Sequence, residues 1–84
     1  MNLQTYIEIY NPETSMYVGE INIDHLGLER IHAIVPPKPD DPGYYNPLPI
    51  TGKQFKVMQD KVEELRKYKF EDDAFFIQTR SLKE

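Results

Sequence analysis

The 84-residue chain contains no cysteine, so neither disulfide bonds nor a thiolate metal site can stabilise its fold. No stretch approaches the roughly 20 consecutive apolar residues that a membrane-spanning helix requires. The first residues, Met1–Glu8, also lack the basic start and the apolar run of a signal peptide. From these absences we expect a cytoplasmic protein that does not bind a membrane.

Basic residues are also in deficit, since the formal net charge is −4 at pH 7. Nucleic-acid binding needs a basic surface that neutralises phosphates, so we expect no nucleic-acid partner. An acidic surface favours a basic protein partner, although acidic side chains more commonly serve only to keep a surface hydrated.

The motifs of common enzymes are absent as well. There is no Gly-rich phosphate loop, no Gly-x-Ser-x-Gly turn and no His-Glu-x-x-His helix. His25, Glu29 and His32 have a spacing that would place three zinc-binding side chains on one face of an ideal helix. His25 would occupy the first turn, however, and Gly27 weakens that turn. We therefore predict no catalytic residue, no metal site and no cofactor.

Prolines, in contrast, are concentrated in one place, since six of the seven lie between Pro36 and Pro49. Proline fixes φ and lacks a backbone donor, so this stretch can form neither a helix interior nor a central strand. It predicts a stiff, ordered loop over 36–50. Pro36–Pro39 also matches the Pro-x-x-Pro pattern that aromatic grooves bind, but a rigid connection packed along its own domain is the simpler interpretation.

Alternating apolar and polar residues predict strands on both sides of this loop. Segments 3–10 and 16–23 alternate and are joined by an Asn-Pro turn, which predicts an antiparallel hairpin over 3–23. The same period returns at 74–79 and predicts a C-terminal strand. Because the second strand leads directly into a helix, we expect the last strand to lie beside the first.

Two helices are predicted between these strands. Asp24 is a favourable N-cap for a short helix over 24–35, which the following proline ends. Thr51 and Gln54 have the spacing of a capping box, which predicts the start of an amphipathic helix over 51–68. Together the elements predict one α+β domain over residues 1–84, an antiparallel three-stranded sheet with two helices packed on one face.

The first candidate interaction surface consists of acidic and tyrosine side chains in loops. Its residues are Asp40, Asp41, Tyr44, Tyr45, Glu71, Asp72 and Asp73. A stiff loop that presents aromatic side chains loses little entropy on binding, and its acids suit a basic partner. We expect at least one of the two tyrosines to turn back onto the core and anchor the loop.

The second candidate surface is the sheet face turned away from the helices. The alternation places Tyr6, Tyr10 and Phe76 there, together with Met16 and Val18. A sheet covered on one side normally shows polar residues on the other, so these side chains predict a contact patch, with homodimerisation as its simplest use. Alternatively, the rings pair across strands and leave their hydroxyls in water.

The run Asp40-Asp41-Pro42-Gly43-Tyr44, followed by Pro49-Ile50-Thr51 and an amphipathic helix, resembles a group of short uncharacterised bacterial proteins. In that group an Asp-Asp-Pro loop leads to a Pro-Ile-Thr helix start. The resemblance extends from the first helix to the last strand. It implies a small cytoplasmic accessory protein without assigned catalytic residues, and some similar small acidic proteins are immunity factors that neutralise a toxin.

The function that we expect is therefore a non-enzymatic protein-interaction module that binds a protein partner through its acidic and tyrosine-bearing surface, and an immunity or inhibitor protein is the specific type that we consider. The alternative is a structural domain that self-associates through Tyr6, Tyr10 and Phe76.

Overall fold

A computed structural model describes residues 3–81, and every structural statement below concerns these residues. The strands and helices, in chain order, are β1 (Leu3–Tyr10), β2 (Tyr17–Asn22), α1 (Leu28–Ile34), β3 (Leu48–Pro49), α2 (Gly52–Lys61) and β4 (Ala74–Ser81). Two short 3-10 turns, Asp24–Leu26 and Glu63–Lys67, precede α1 and follow α2.

The four strands form one antiparallel sheet in the order β2-β1-β4-β3. The α+β class is confirmed, and so is the position of the last strand beside the first. The prediction of three strands was wrong, because the proline segment contributes a fourth, in which Leu48 pairs with Ile77 and Pro49 with Phe76. A proline is tolerated there because an edge strand has one side on which no donor is needed.

The last strand is longer than the predicted segment 74–79. It continues through Arg80 and Ser81, which pair with Gln4 and Leu3 of β1. This extension brings Arg80 onto the sheet.

The hairpin between β1 and β2 contains a bulge. The side chain of Asn11 accepts hydrogen bonds from the N–H groups of Glu13 and Thr14, which fixes the turn. The register then shifts, so that Ile9 pairs with Gly19 but Tyr10 pairs with Tyr17. The extra residue reverses the alternation at the start of β2, and Tyr17 lies on the same face of the sheet as Tyr10.

The first predicted helix, over 24–35, is in fact two pieces. Gly27 separates the 3-10 turn from α1. Its φ is 83°, a backbone conformation that glycine adopts readily. Asp24 does not cap the helix. Its carboxylate accepts a hydrogen bond from the Thr5 N–H at 2.9 Å, and thus serves strand β1.

The start of the second helix is as predicted. Gln54 N–H donates to Thr51 Oγ1 at 3.2 Å and Thr51 N–H donates to Gln54 Oε1 at 2.8 Å, which completes the capping box. The predicted end, at residue 68, is wrong because α2 ends at Lys61 and Val62 adopts an extended conformation.

Side chains replace the missing helical hydrogen bonds beyond this break. The Gln59 amide donates to the carbonyl groups of Leu65 and Tyr68, each at 3.1 Å, and the Arg66 guanidinium donates to the Gln59 carbonyl at 3.0 Å. These bonds hold the 3-10 turn against α2, and Val62 and Leu65 still reach the core.

Both helices pack on one face of the sheet, which we call the inner face. The core between the helices and the sheet contains Ile7, Ile9, Ile21, Ile31, Val35, Phe55, Met58, Val62, Leu65, Phe75 and Ile77. The opposite face, which we call the outer face, carries Tyr6, Glu8, Tyr10, Phe76 and Arg80. Among the described residues, no helix is both long enough and apolar enough to cross a membrane.

Candidate interaction surfaces

The proline loop is an ordered structure built around Asp41. Its carboxylate accepts hydrogen bonds from the N–H groups of Asn46 at 2.8 Å and Tyr45 at 2.9 Å. These two donors hold the pKa of Asp41 below its ordinary value. Asp41 therefore organises the loop, and much of its hydrogen-bonding capacity is already used.

Tyr44 anchors the same loop to the core. It is 1% exposed, its hydroxyl donates to the Val35 carbonyl, and its own carbonyl accepts from the Thr79 N–H at 2.8 Å. Burial raises the pKa of this tyrosine to about 12. The expectation that one tyrosine of the pair turns inward is confirmed. The assignment of Tyr44 as a partner contact is corrected, because its ring is inaccessible.

The remaining residues of the first surface do not come together. Asp40 and Tyr45 are exposed on the proline loop, which is bonded to β4 near Thr79. Glu71, Asp72 and the half-buried Asp73 lie in the turn just before β4 begins at Ala74. Ala74 and Thr79, the positions of β4 next to these two loops, are five residue steps or about 17 Å apart along the strand. The acidic residues therefore form two separate sites.

Residues of the second surface do meet on the outer face. The Tyr10 ring lies edge-on to the rings of Tyr17 and Phe76, with both centroid distances 5.8 Å. We call Tyr10, Tyr17 and Phe76 the aromatic cluster. Tyr17 was missed from the sequence because strict alternation assigns it to the other face, and only the bulge brings it here.

A groove of about 540 Å³ adjoins this cluster. Tyr10 and Phe76 form part of its wall, and the rest consists of Pro12, Pro47 and Ala74 together with the polar residues Glu8, Asn11 and Ser15. The lining is mainly apolar, and such a surface suits a protein segment better than a reaction that needs a converging set of titratable groups.

Tyr6, the third residue of the predicted patch, is covered by Arg80. The guanidinium lies 4.4 Å from the centre of the Tyr6 ring. Arg80 also forms ion pairs with Glu8, at 3.6 Å, and with Glu20. Tyr6 is thus buried by its neighbours and is not available to a partner.

These ion pairs reduce the repulsion between two carboxylates on neighbouring strands. Glu8 and Glu20 stand directly opposite each other on β1 and β2, a destabilising arrangement for like charges, and Glu8 is only 3% exposed. Partial burial opposes ionisation of Glu20, but hydrogen bonds from Tyr17 and Arg80 outweigh it and lower the pKa of the Glu20 carboxyl. This role of Arg80 was not predicted, because the residue lies beyond the predicted strand 74–79.

The two histidines do not share a helix face. His25 lies in the 3-10 turn and Gly27 separates it from α1, whereas His32 contacts the Pro42 carbonyl through Nε2 at 2.7 Å and the Tyr44 ring edge-on. Over residues 3–81 no three His, Cys, Asp or Glu side chains are grouped so that they could hold a metal ion.

The fold thus defines a small α+β domain with one covered and one uncovered sheet face. A family model described as "Domain of unknown function (DUF7683)" matches residues 4–78, and the chain belongs to this family. The match includes the proline loop and nearly all of the outer face. No curated protein and no solved structure matches the chain.

Proposed function

We propose that this protein is a non-enzymatic protein-interaction module that binds a second copy of itself through the aromatic cluster and the adjoining edge of β2. The observation that carries the proposal is the position of Tyr10, Tyr17 and Phe76, three contacting rings on a sheet face that none of the described helices covers. Aromatic side chains are enriched at protein interfaces.

The two edges of the sheet support this choice. An edge strand offers unpaired N–H and C=O groups to another chain. On one side, β3 is two residues long and is flanked by Pro47, so it offers little to pair with. On the other side, β2 is six residues long, and Met16, Tyr17 and Val18 are exposed at its start.

Charge makes a second copy a suitable occupant of the β2 edge. The one charged residue of β2 is Glu20, and it is already paired with Arg80 of the same chain. Two β2 strands that meet antiparallel across a twofold axis therefore bring together only Glu20 and its copy, and each of these carboxylates has an arginine partner in its own chain. The antiparallel hydrogen-bond pattern is compatible with such a symmetric arrangement.

Sedimentation equilibrium over a range of concentrations tests the proposal. We expect a reversible dimer, and we expect Val18→Lys to shift it to monomer, because lysine on an edge strand opposes pairing. Val57→Lys is the matched control, since Val57 on α2 is 40% exposed and Val18 is 48% exposed. A protein that stays monomeric at every concentration, or a dimer that Val18→Lys leaves intact, would contradict the proposal.

A second candidate function is that of a bacterial, cytoplasmic, immunity- or inhibitor-like protein with a basic partner. It is favoured by the proline loop, where Asp41 and Tyr44 fix the backbone while Asp40 and Tyr45 stay exposed. A preformed loop of this kind binds with a small entropic cost. The turn at Glu71–Asp73 belongs to a different site and is not needed for it.

The test of this second candidate takes as partner any basic toxin that a neighbouring gene encodes. A basic toxin encoded beside this chain should bind the unmodified protein, more weakly at about 0.5 M than at about 0.05 M salt. The double variant Asp40→Asn, Tyr45→Ala should lose this binding, and Asp60→Asn with Val57→Ala on α2 should retain it. Binding that ignores both salt and the loop substitutions would exclude the loop as the contact.

A further inference from the structure

The helical side of the molecule carries a separate groove of about 620 Å³, between the first turns of α2 and the residues that lead to β4. Three lysines line it, Lys53 and Lys56 from α2 and Lys69 from the opposite wall. Its apolar surface comes from Tyr68 and Phe70. The groove lies outside the outer face and the proline loop, so it is independent of the proposed functions.

Charge distinguishes this groove from the rest of the protein. Residues 52–69 contain six basic and three acidic side chains, although the whole chain has a net charge of −4. The ion pairs found among residues 3–81 both involve Arg80, so neither neutralises Lys53, Lys56 or Lys69. Three ammonium groups thus surround a groove and lack a carboxylate partner within ion-pair distance over the described part of the chain.

Phe70 gives the groove a rigid apolar wall. Its side chain is 37% exposed, yet its ring lies 5.7 Å from that of Phe55 and stacks 6.1 Å from that of Phe75. The ring also lies against the first turn of α2, where a Cβ atom on Gly52 would meet it at 3.4 Å, an ordinary contact distance. A ring that is already immobilised can contact a ligand without further loss of rotamer entropy.

We propose that this groove binds an acidic segment of a partner protein. The carboxylates of that segment pair with Lys53, Lys56 and Lys69, and one of its apolar side chains rests on Phe70. Lys53 and Lys56 are three residues apart on α2, or about 4.5 Å along its axis. Their side chains are long and flexible, so both ammonium groups can reach carboxylates on alternate residues of an extended peptide.

A nucleic acid fits the groove less well than an acidic peptide. Binding to a phosphate backbone is favoured by a broad basic surface, whereas here Glu71 lines the groove and Asp72 follows it. These acids confine the positive charge to a small area. A few carboxylates placed at defined positions match that area better than a continuous row of phosphates.

The experiment uses the full chain and a fluorescent peptide of glutamate and aspartate with one central phenylalanine. We expect saturable binding, followed by anisotropy, that weakens as salt is raised. The double variant Lys53→Glu, Lys56→Glu should raise the Kd about tenfold or more. Lys61→Glu is the control for a single charge reversal on α2 outside this groove, because Lys61 lines a different groove, and it should alter the Kd less than about twofold.

Other results would overturn this inference. They are the absence of saturable binding, an equal loss of affinity in Lys61→Glu, or equal binding of a peptide in which glutamine and asparagine replace the acids. Tighter binding of single-stranded RNA with the same lysine dependence would identify a nucleic-acid site instead. Backbone amide shifts on peptide addition should be confined to residues 52–59 and 68–71, which a non-specific ionic effect would not produce.

Discussion

The two faces of the sheet bury their residues in different ways. Ile7 and Glu8 are neighbours in β1 and point to opposite faces, yet both are almost completely buried. Ile7 is covered by the helices of the inner face. Glu8 is covered by side chains of the outer face, among them those of Tyr10 and of Arg80, which also packs on Tyr6.

This difference defines where a partner can bind. At the Gln4 end of the outer face, Arg80 forms ion pairs with Glu8 and Glu20, and its side chain covers Tyr6. At the hairpin end the aromatic cluster has no such cover. Only part of the outer face is therefore accessible to a partner, namely the hairpin end with the aromatic cluster.

The largest test of the comparison substitutes adjacent phenylalanines. Phe75 packs on the inner face against Phe55, with ring centroids 4.4 Å apart, and Phe75→Ala should lower the free energy of unfolding by about 3–5 kcal/mol. Phe76 is half-buried on the outer face, and Phe76→Ala should cost about 1–2 kcal/mol. Urea denaturation measures both values. Equal losses would mean that side chains on the two faces contribute equally to the free energy of unfolding.

The second test removes the cation of the outer face. Arg80→Met leaves Glu8 buried without its ion pair, and we expect a loss of about 2 kcal/mol. This is less than for a fully buried pair, because the Arg80 side chain is 40% exposed.

The matched control for that test is the double variant Glu8→Gln, Arg80→Met. It removes the buried charge together with its partner, so it should be more stable than Arg80→Met alone in the same denaturation measurement. If the double variant is less stable than the single one, then Arg80 acts through its packing on Tyr6 and not through Glu8.

Local signals in the sequence were sufficient for part of this architecture. The capping box at Thr51 and Gln54 is complete within four residues, so the helix start could be predicted. The helix end could not, because Val62 has the spacing of an apolar helical face. The break depends on hydrogen bonds from Gln59 and Arg66 that form only in the folded chain.

The outer face shows the same limit. Alternation placed Tyr10 and Phe76 on it correctly, since their strands are regular. Tyr17 was not assigned to it because a bulge depends on the pairing register, which the sequence of one strand does not contain. Strand β3 was missed because a proline-rich segment gives no strand signal, although an edge position accepts it.

The third test compares two tyrosine hydroxyls. Tyr44 is buried on the inner side and donates to Val35, so Tyr44→Phe should lower stability by about 1 kcal/mol. Tyr17 is exposed on the outer face and donates to Glu20, and water can replace that bond, so Tyr17→Phe should cost less than about 0.5 kcal/mol. Thermal unfolding at neutral pH measures both. A larger loss of stability in Tyr17→Phe than in Tyr44→Phe would mean that the hydrogen bond to Glu20 contributes more than the one to Val35.

Alkaline pH provides a further readout for Tyr44. Its pKa is raised from 10.0 to about 12 in the folded protein. A raised pKa stabilises the fold fully below pH 10, and the stabilisation is lost as the pH rises through about 12. The unmodified protein should therefore lose stability across this interval, and Tyr44→Phe should lose less of it. Parallel pH profiles for the two proteins would show that Tyr44 does not contribute.

The smallest expected effect concerns the turn that sets the bulge. Ser15 has φ 61°, a left-handed conformation that glycine adopts without strain. Ser15→Gly should raise stability by about 0.5 kcal/mol, because relief of this strain exceeds the added freedom of the unfolded chain. Glu13→Gly is the control, since Glu13 has no positive φ and its side chain makes no hydrogen bond or ion pair within residues 3–81, so the substitution adds only that freedom and should lower the melting temperature. If both substitutions destabilise equally, the backbone at Ser15 is not strained, and the turn does not limit how firmly Tyr17 is held against Tyr10.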